Sequence, residues 1–431
     1  MTEKSYYISD KRIPITPYIL IFFALLFVPG VYFVLIFCAI IPFIMLFQIP
    51  SEAGSDNRVQ GWIGLGAIIS FSACLRGIWI TIFHKPCFEL SISIDPKKEP
   101  KLNSFIIDIC KTLGTNPPDA VILLAEPNFF VQKGKLKVLN GVVEKKIVAI
   151  GLPLLNVLSL NELRAILVHE FAHFTGNDTV YSSFVLPVYV GTQETINQLR
   201  AEIKLKSVNI QSMIINFFIK IPMYLPLAIL YIYLKLFQLL DMKLSRMREK
   251  RADVIAALVC GSQTFSNSLK KVVRISRSFL SISHDQIIDL LKDDKVYINY
   301  YGVFRNSLTQ IWDSSLKFES EALSEKNKYF CSHPTLKTRL EYLPNVSESY
   351  SDKQIATSLV ANLDEYEKIL TEHYTEYISI VFKDEILQRK IKARKIIADV
   401  RCPKCHMWTY EGTHCHICGK SMKSIFDYFD N

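Results

Sequence analysis

Residues 18–47 carry no charged side chain. At about 1.5 Å per helical residue, such a run exceeds the roughly 30 Å hydrocarbon core of a bilayer. One span, kinked at Pro29, is the expectation. Residues 62–83 form a second apolar run whose single charge, Arg76, stands near its end, where a long side chain can reach an interface. The loop between the runs holds Glu52, Asp56 and Arg58, whereas the outer flanks carry Lys4, Lys11, Arg12, Lys85, Lys97, Lys98 and Lys101. Basic flanks belong on the cytoplasmic side. The chain therefore reads as a multi-pass protein of the plasma (inner) membrane, with its N-terminus and everything after about Lys85 in the cytoplasm.

After Pro100 the pattern becomes that of a mixed soluble domain. Residues 102–113 have a helical period, and short β-rich stretches follow near 121–124, 136–139 and 146–150. Ser159 with Glu162 three positions on is a capping box, and Leu163, Ile166, Leu167, Phe171 and Phe174 continue at helical spacing to Gly176. A helix over residues 160–175 is predicted. A further apolar segment, 214–240, precedes a helical stretch ending near Gly261, and residues 352–400 read as charged amphipathic helices. The fold class expected is α+β: a mostly helical domain with a small β-sheet, preceded by transmembrane helices. The expected units are a membrane anchor (1–84), a catalytic domain (85–345) with the membrane-associated segment 214–240, an amphipathic helical region (346–400) and a cysteine-bearing module (401–431).

Composition narrows the partners. Half of the 431 residues are hydrophobic, and the net charge of +9 is scattered, with no basic stripe interleaved with stacking aromatics. No nucleic acid partner is expected; a mild basic excess suits a lipid bilayer. Six of the ten cysteines (Cys38, Cys74, Cys87, Cys110, Cys260, Cys331) stand singly, as buried thiols do. The first apolar run is too long for a cleavable signal core, so it reads as retained.

The predicted helix 160–175 contains His169-Glu170-Phe171-Ala172-His173. Imidazoles at i and i+4 share a face and can reach one metal, while the glutamate beside the first can address a water there. A catalytic zinc takes three protein ligands and a water, so a third ligand must come from elsewhere. The stretch from Ser245 to Asp253 offers Glu249 and Asp253 at i and i+4 on a second helix. Glu249 can ligate while Asp253 accepts a ligand histidine's free N–H.

These residues resemble the family of membrane metallopeptidases that contains the bacterial heat-shock protease HtpX and the zinc-dependent CAAX prenyl protease. The resemblance rests on residues 169–173 with Gly176 and Asp178, on Ser245-Arg246 with Glu249 and Asp253, and on Ser332-His333-Pro334 with Arg339. It implies a zincin catalytic domain of the gluzincin type and peptide hydrolysis of protein or peptide substrates, with Glu170 as general base. It also implies His169, His173 and Glu249 as zinc ligands, Asp253 and Arg339 behind them, and His333 as stabiliser of the tetrahedral intermediate. Asn128, before Phe129 and Phe130, is similar to the family's Asn-Ala-Phe element on the strand edging the substrate cleft, with Phe129 in place of the small residue.

Because His169 and His173 precede segment 214–240 and Glu249 follows it, one shared metal requires an even number of membrane crossings between them. Residues 184–190 are too short to cross, and Pro222 and Pro226 can break 214–240 into shorter pieces. A re-entrant or interfacial element is therefore expected, with both ends on one side.

At the C-terminus, Cys402-Pro-Lys-Cys405 and Cys415-His-Ile-Cys418 form two knuckles separated by nine residues. Four thiolates in that array suit a second, structural zinc, although His406, His414 or His416 could replace one cysteine; the alternative, a pair of disulfides, is disfavoured by cytoplasmic placement. A small zinc ribbon is expected, serving a protein partner rather than catalysis. The alternative function is a catalytically silent zinc-binding membrane scaffold; retention of Glu170 argues against it, since a structural site needs no base.

Overall fold

The computed structural model describes residues 15–47, 57–83, 87–175, 178–204, 210–325, 334–347, 352–397, 400–401 and 408–409. His333 and the four C-terminal cysteines lie outside them. The charge-free run forms helix α1 (Ile15–Phe47), with Pro29 and Pro42 inside it, and the second run forms α2 (Asn57–Ile82). Strands β1 (Cys87–Phe88) and β2 (Ser91–Ile94) lead to α3 (Pro100–Leu113). Proline in the first turn and left-handed Gly114 after the last set the limits of α3. Then come β3 (Ala120–Leu124), β4 (Phe129–Val138), β5 (Gly141–Gly151), the single turn α4 (Leu152–Leu155) and α5 (Leu160–Thr175). Two long helices follow, α6 (Asp178–Lys204) and α7 (Ile210–Cys260). The remainder is α8 (Ser262–Lys292), α9 (Tyr300–Ser314), α10 (Leu316–Ser324), α11 (Leu336–Glu341), α12 (Leu363–Val381) and α13 (Lys383–Ile397). A last antiparallel pair, β6 (Val400–Arg401) with β7 (Trp408–Thr409), brackets the first cysteine knuckle in sequence. The protein is predominantly helical with a small mixed sheet.

The sheet has the order β1-β4-β5-β3-β2. The short stretch 87–94 serves both of its edges: β1 lies parallel to β4 at Leu136 and Lys137, while β2 pairs antiparallel with β3. Leu139 N donates to Ser91 O and Ala125 N to Leu90 O. The sheet consequently curls around Ile122, Leu124, Leu136, Val138, Ile147 and Ala149. Its outer residues Val121, Leu123, Phe129, Val148 and Ile150 join α5 in the main core. The stretch predicted at 136–139 is only the far end of β4, because Phe129 to Lys135 shows no clean alternation of apolar and polar residues. β1 reaches only Leu136 and Lys137, so among the described residues the Phe129 half of β4 has a strand on one side only.

Helices α1, α2, α6 and the first part of α7 form a second, separate core around Leu35, Cys38, Ala73, Cys74, Leu199, Leu230 and Leu234. Small residues let the helices approach closely. A Cβ on Gly77 would meet Thr195 Oγ1 and Gly191 O, and one on Gly66 would meet Ile219 O and Pro222. Thr81 and Thr195 return their hydroxyls to Gly77 O and Gly191 O. Such contacts hold helices together where the surroundings supply no hydrophobic drive. Outward, the bundle shows Phe33, Ile36, Ile68, Trp79, Phe217 and Ile232, all at least half exposed. Residues 58–82 and 213–260 belong to helices long and apolar enough to cross a membrane.

One expectation is corrected by α7. Pro222 and Pro226 do not break the apolar segment; α7 is one helix of 51 residues, about 75 Å long. Each proline frees a carbonyl one turn earlier, a cost that neighbouring helices can absorb inside a bundle. Residues 184–190 lie within the 27-residue α6. Contacts of Tyr189 with Gln238 and of Arg200 with Tyr231 show α6 running antiparallel to α7. The chain thus goes out and back between His173 and Glu249. An unbroken α7, antiparallel to α6, stands where a broken segment was expected.

Residues beyond 346 join the main core as well. Tyr366, Leu370, Tyr374 and Ile378 pack with Phe279, Tyr300 and Tyr301. Buried Glu367 is held by Arg305 at 2.6 Å and by Asn299 at 2.8 Å.

Candidate active site

Helix α5 begins as its sequence dictates. Ser159 N donates to Glu162 Oε2 at 2.8 Å, and Glu162 N donates to Ser159 Oγ at 3.3 Å. Leu163, Leu167, Val168, Phe171 and Ala172 are fully buried, which fixes the helix's rotation and turns His169, Glu170 and His173 toward one cleft. The His169 ring stacks on Phe265 of α8, centroids 5.8 Å apart.

α7 supplies the opposite wall. His169 Nε2 lies 3.6 Å from Glu249 Oε2, and His173 Nε2 lies 3.6 Å from Glu249 Oε1. The three donor groups can bring their ligand atoms within 4.8 Å of one another. Two imidazole nitrogens and a carboxylate at that spread fit a zinc ion with an open coordination position. Since His169 and Glu249 are more than nine-tenths buried, the set is preorganised rather than solvated.

One turn beyond Glu249, Asp253 is completely buried. Its Oδ1 lies 2.9 Å from His169 Nδ1, the ring nitrogen turned away from Glu249. Arg339 of α11 donates to both oxygens, Nε to Oδ2 at 2.9 Å and Nη2 to Oδ1 at 2.6 Å. Tyr342 Oη donates to Oδ2 at 2.5 Å. Burial alone would raise the Asp253 pKa, but hydrogen bonds from His169 and Arg339 outweigh it and hold the carboxyl well below the usual carboxylate range. The same partnership raises the Arg339 pKa despite burial. Glu170, facing the cleft, has no such support; burial raises its pKa against the partial offset of the two histidines.

The cleft encloses about 470 Å³, and Asn128, Phe129, Phe130 and Val131 line one side. The turn before β4 is fixed by three contacts: Tyr301 Oη donates to Ala125 O at 2.8 Å, Ser276 Oγ donates to Pro127 O at 2.9 Å, and Gly151 abuts Asn128. A Cβ on Gly151 would stand 2.6 Å from Asn128 N. Asn128 Oδ1 accepts from Phe129 N at 2.9 Å. The unpaired half of β4 therefore opens onto the cleft beside His169.

The structure thus brings together seven of the residues singled out in the sequence: Asn128, His169, Glu170, His173, Glu249, Asp253 and Arg339. Tyr342, Phe265, Ser276, Tyr301 and Gly151 went unread. Tyr342 carried a faint signal, three places after Arg339 and so on the same side of a helical turn; the others act through contacts distant in sequence.

The model of peptidase family M48 matches residues 99–347, more than half of the chain. The chain belongs to peptidase family M48. Members of this family are zinc-dependent peptidases, in keeping with the donor set described above. Two M48 relatives are proteins named Protease HtpX homolog. The one from Archaeoglobus fulgidus is 21% identical over 296 residues, covering 65% of this chain and 79% of the relative. That from Pyrobaculum aerophilum is 21% identical over 304 residues, covering 66% and 78%. Among solved structures, Ste24p of S. mikatae is similar at 15% identity with a TM-score of 0.29; the match covers 70% of this chain and 61% of that structure's length. The M48 match ends before α12 and α13, although both pack into the same fold.

Proposed function

We propose that the protein is a membrane-anchored zinc endopeptidase with His169, His173 and Glu249 as ligands and Glu170 as general base. The observation that carries this reading is the convergence of the three donors on one point of the cleft, with Glu170 lining the same cleft from the same helix. Zinc bound there would supply Lewis acidity, polarising the scissile carbonyl and lowering the pKa of a water toward about 7. Glu170 takes the proton of the attacking water and delivers it to the leaving amine. Asp253, locked by Arg339 and Tyr342, holds His169 in the tautomer whose Nε2 lone pair faces the metal position. An extended substrate adds to the unpaired half of β4, its backbone pairing near Asn128 and Phe129.

Further roles belong to the same proposal. His333 stands one residue before Pro334, at the start of the segment that carries Arg339, and would stabilise the oxyanion. Cys402, Cys405, Cys415 and Cys418 would hold a structural zinc in a ribbon that engages a protein partner. The bundle of α1, α2, α6 and α7 would lie in the bilayer with the catalytic domain in the cytoplasm. Cleavage of casein by the purified full-length protein, abolished in Glu170→Gln and by chelation, tests the central claim; equal cleavage by Glu170→Gln would overturn it.

A further inference from the structure

The β4–β5 hairpin carries a charge pattern that catalysis leaves unused. Lys133, Lys135 and Lys137 alternate along β4 and so project from one face. The inner face is filled by Leu136 and Val138, which puts the lysines on the outer one, where all three are exposed. Exposed Lys145 stands on β5 opposite Gly134 and so lies on the other face, with Leu136 and Val138. Glu144 is the one acidic residue on either strand, and it is tied to Lys135 at 2.8 Å. The hairpin is thus a basic surface with one acidic neighbour.

Its place in the fold limits its distance from the aromatic end of α2. Helix α2 ends beside Trp79 and Phe83, both more than half exposed, their ring centroids 4.1 Å apart. Such aromatics mark the boundary between bilayer and water. Four residues after Phe83 the chain enters β1, which pairs beside Leu136 and Lys137. At about 3.5 Å per residue plus one strand spacing, that end of the hairpin lies within about 20 Å of the aromatic pair. Exposed Phe88 pairs with Lys137, and exposed Val142 lies opposite the same lysine. Lysines interleaved with exposed apolar side chains at this height suit the headgroup layer.

We propose that the β4–β5 hairpin docks on anionic phospholipid headgroups and so sets the height of the substrate edge, the other half of β4, above the bilayer. The inference rests on the bundle being membrane-embedded and is independent of whether the site hydrolyses peptides. Each lysine near an acidic surface contributes about a fivefold preference, lost as salt shortens the range of the field.

The test is lysine acetylation, followed by mass spectrometry, of the full-length protein in nanodiscs of phosphatidylcholine alone or with about 30 mol% phosphatidylglycerol. In acidic nanodiscs Lys133, Lys135 and Lys137 should react at least about fivefold more slowly, with the protection lost in high salt. Lys295, Lys317 and Lys368, exposed on the helical part, should react alike in both. In the double variant Lys135→Gln/Lys137→Gln, Lys133 should lose its protection while casein cleavage in neutral nanodiscs is retained. Equal hairpin rates in the two bilayers would overturn the proposal. So would protection shared by the three control lysines, which is a bulk surface potential, or protection by inorganic phosphate in neutral nanodiscs, which is a free-anion site. Protection by an acidic protein substrate alone would assign the hairpin to substrate capture instead. A protein that stays soluble without detergent or lipid would sink the inference together with the membrane reading.

Discussion

At the scale of single residues, the site divides its labour between groups that touch a metal and groups that hold them. His169→Ala, His173→Ala or Glu249→Ala should each empty the catalytic site in metal analysis, whereas Glu170→Gln should retain zinc and lose about 10²–10⁴-fold in kcat. Full occupancy in Glu249→Ala would refute the third ligand. Tyr342 makes a narrower case. Its hydroxyl completes the saturation of the Asp253 carboxylate begun by Arg339. Tyr342→Phe should weaken zinc binding by about tenfold, as removal of such supporting partners does. Measured by competition with a chelator, an unchanged affinity would leave Tyr342 a packing residue only.

Among the elements, β4 and α7 each join two functions along one rigid axis. β4 holds its cleft edge because the turn before it is packed against Gly151. Gly151→Ala would force Asn128 away, at a cost of about 1–3 kcal/mol. The expected result is a raised KM with intact zinc content, and wild-type kinetics would show that the turn yields without moving the edge. α7 carries bundle contacts at Met223 and Leu230 and a proposed zinc ligand at Glu249. The distal module should be separable: a chain ending at residue 397 should bind one zinc fewer and keep basal cleavage, because a closed four-thiolate site has no place for substrate. Loss of cleavage by a folded truncation would contradict that.

For the molecule as a whole, the antiparallel pair α6 and α7 decides topology. The 205–209 connection joins the ends of these helices far from Glu249, so single cysteines replacing Lys204 and Lys243 should be labelled from opposite sides of the membrane. Labelling from one side would restore the re-entrant element expected from Pro222 and Pro226. The crossing of α2 and α6 at Gly77 and Gly191 leaves no room for a side chain. Gly191→Leu should therefore lower thermal stability in detergent markedly, and an unaltered melting temperature would disprove the tight crossing.

The sequence by itself determined whatever depends on local spacing. The capping box set the start of α5, the four-residue interval put His169 and His173 on one face, and the absence of charge marked α1. Glu249 and Asp253 were legible for the same reason, being one turn apart on one helix. Tertiary structure decided the rest. Glu194, Asn197, Arg200 and Glu202 make the second half of α6 polar; its place in the bundle depends on Gly77, Thr81, Gly191 and Thr195 meeting across sequence distance. Continuity of α7 through two prolines is likewise a property of the bundle, because neighbours compensate a local penalty that the segment alone could not. The cleft edge of β4 is irregular in pattern because β1 covers only its far end, and that pairing joins residues remote along the chain. Local periodicity records which face a segment buries; which distant segment buries it is written only in the packed chain.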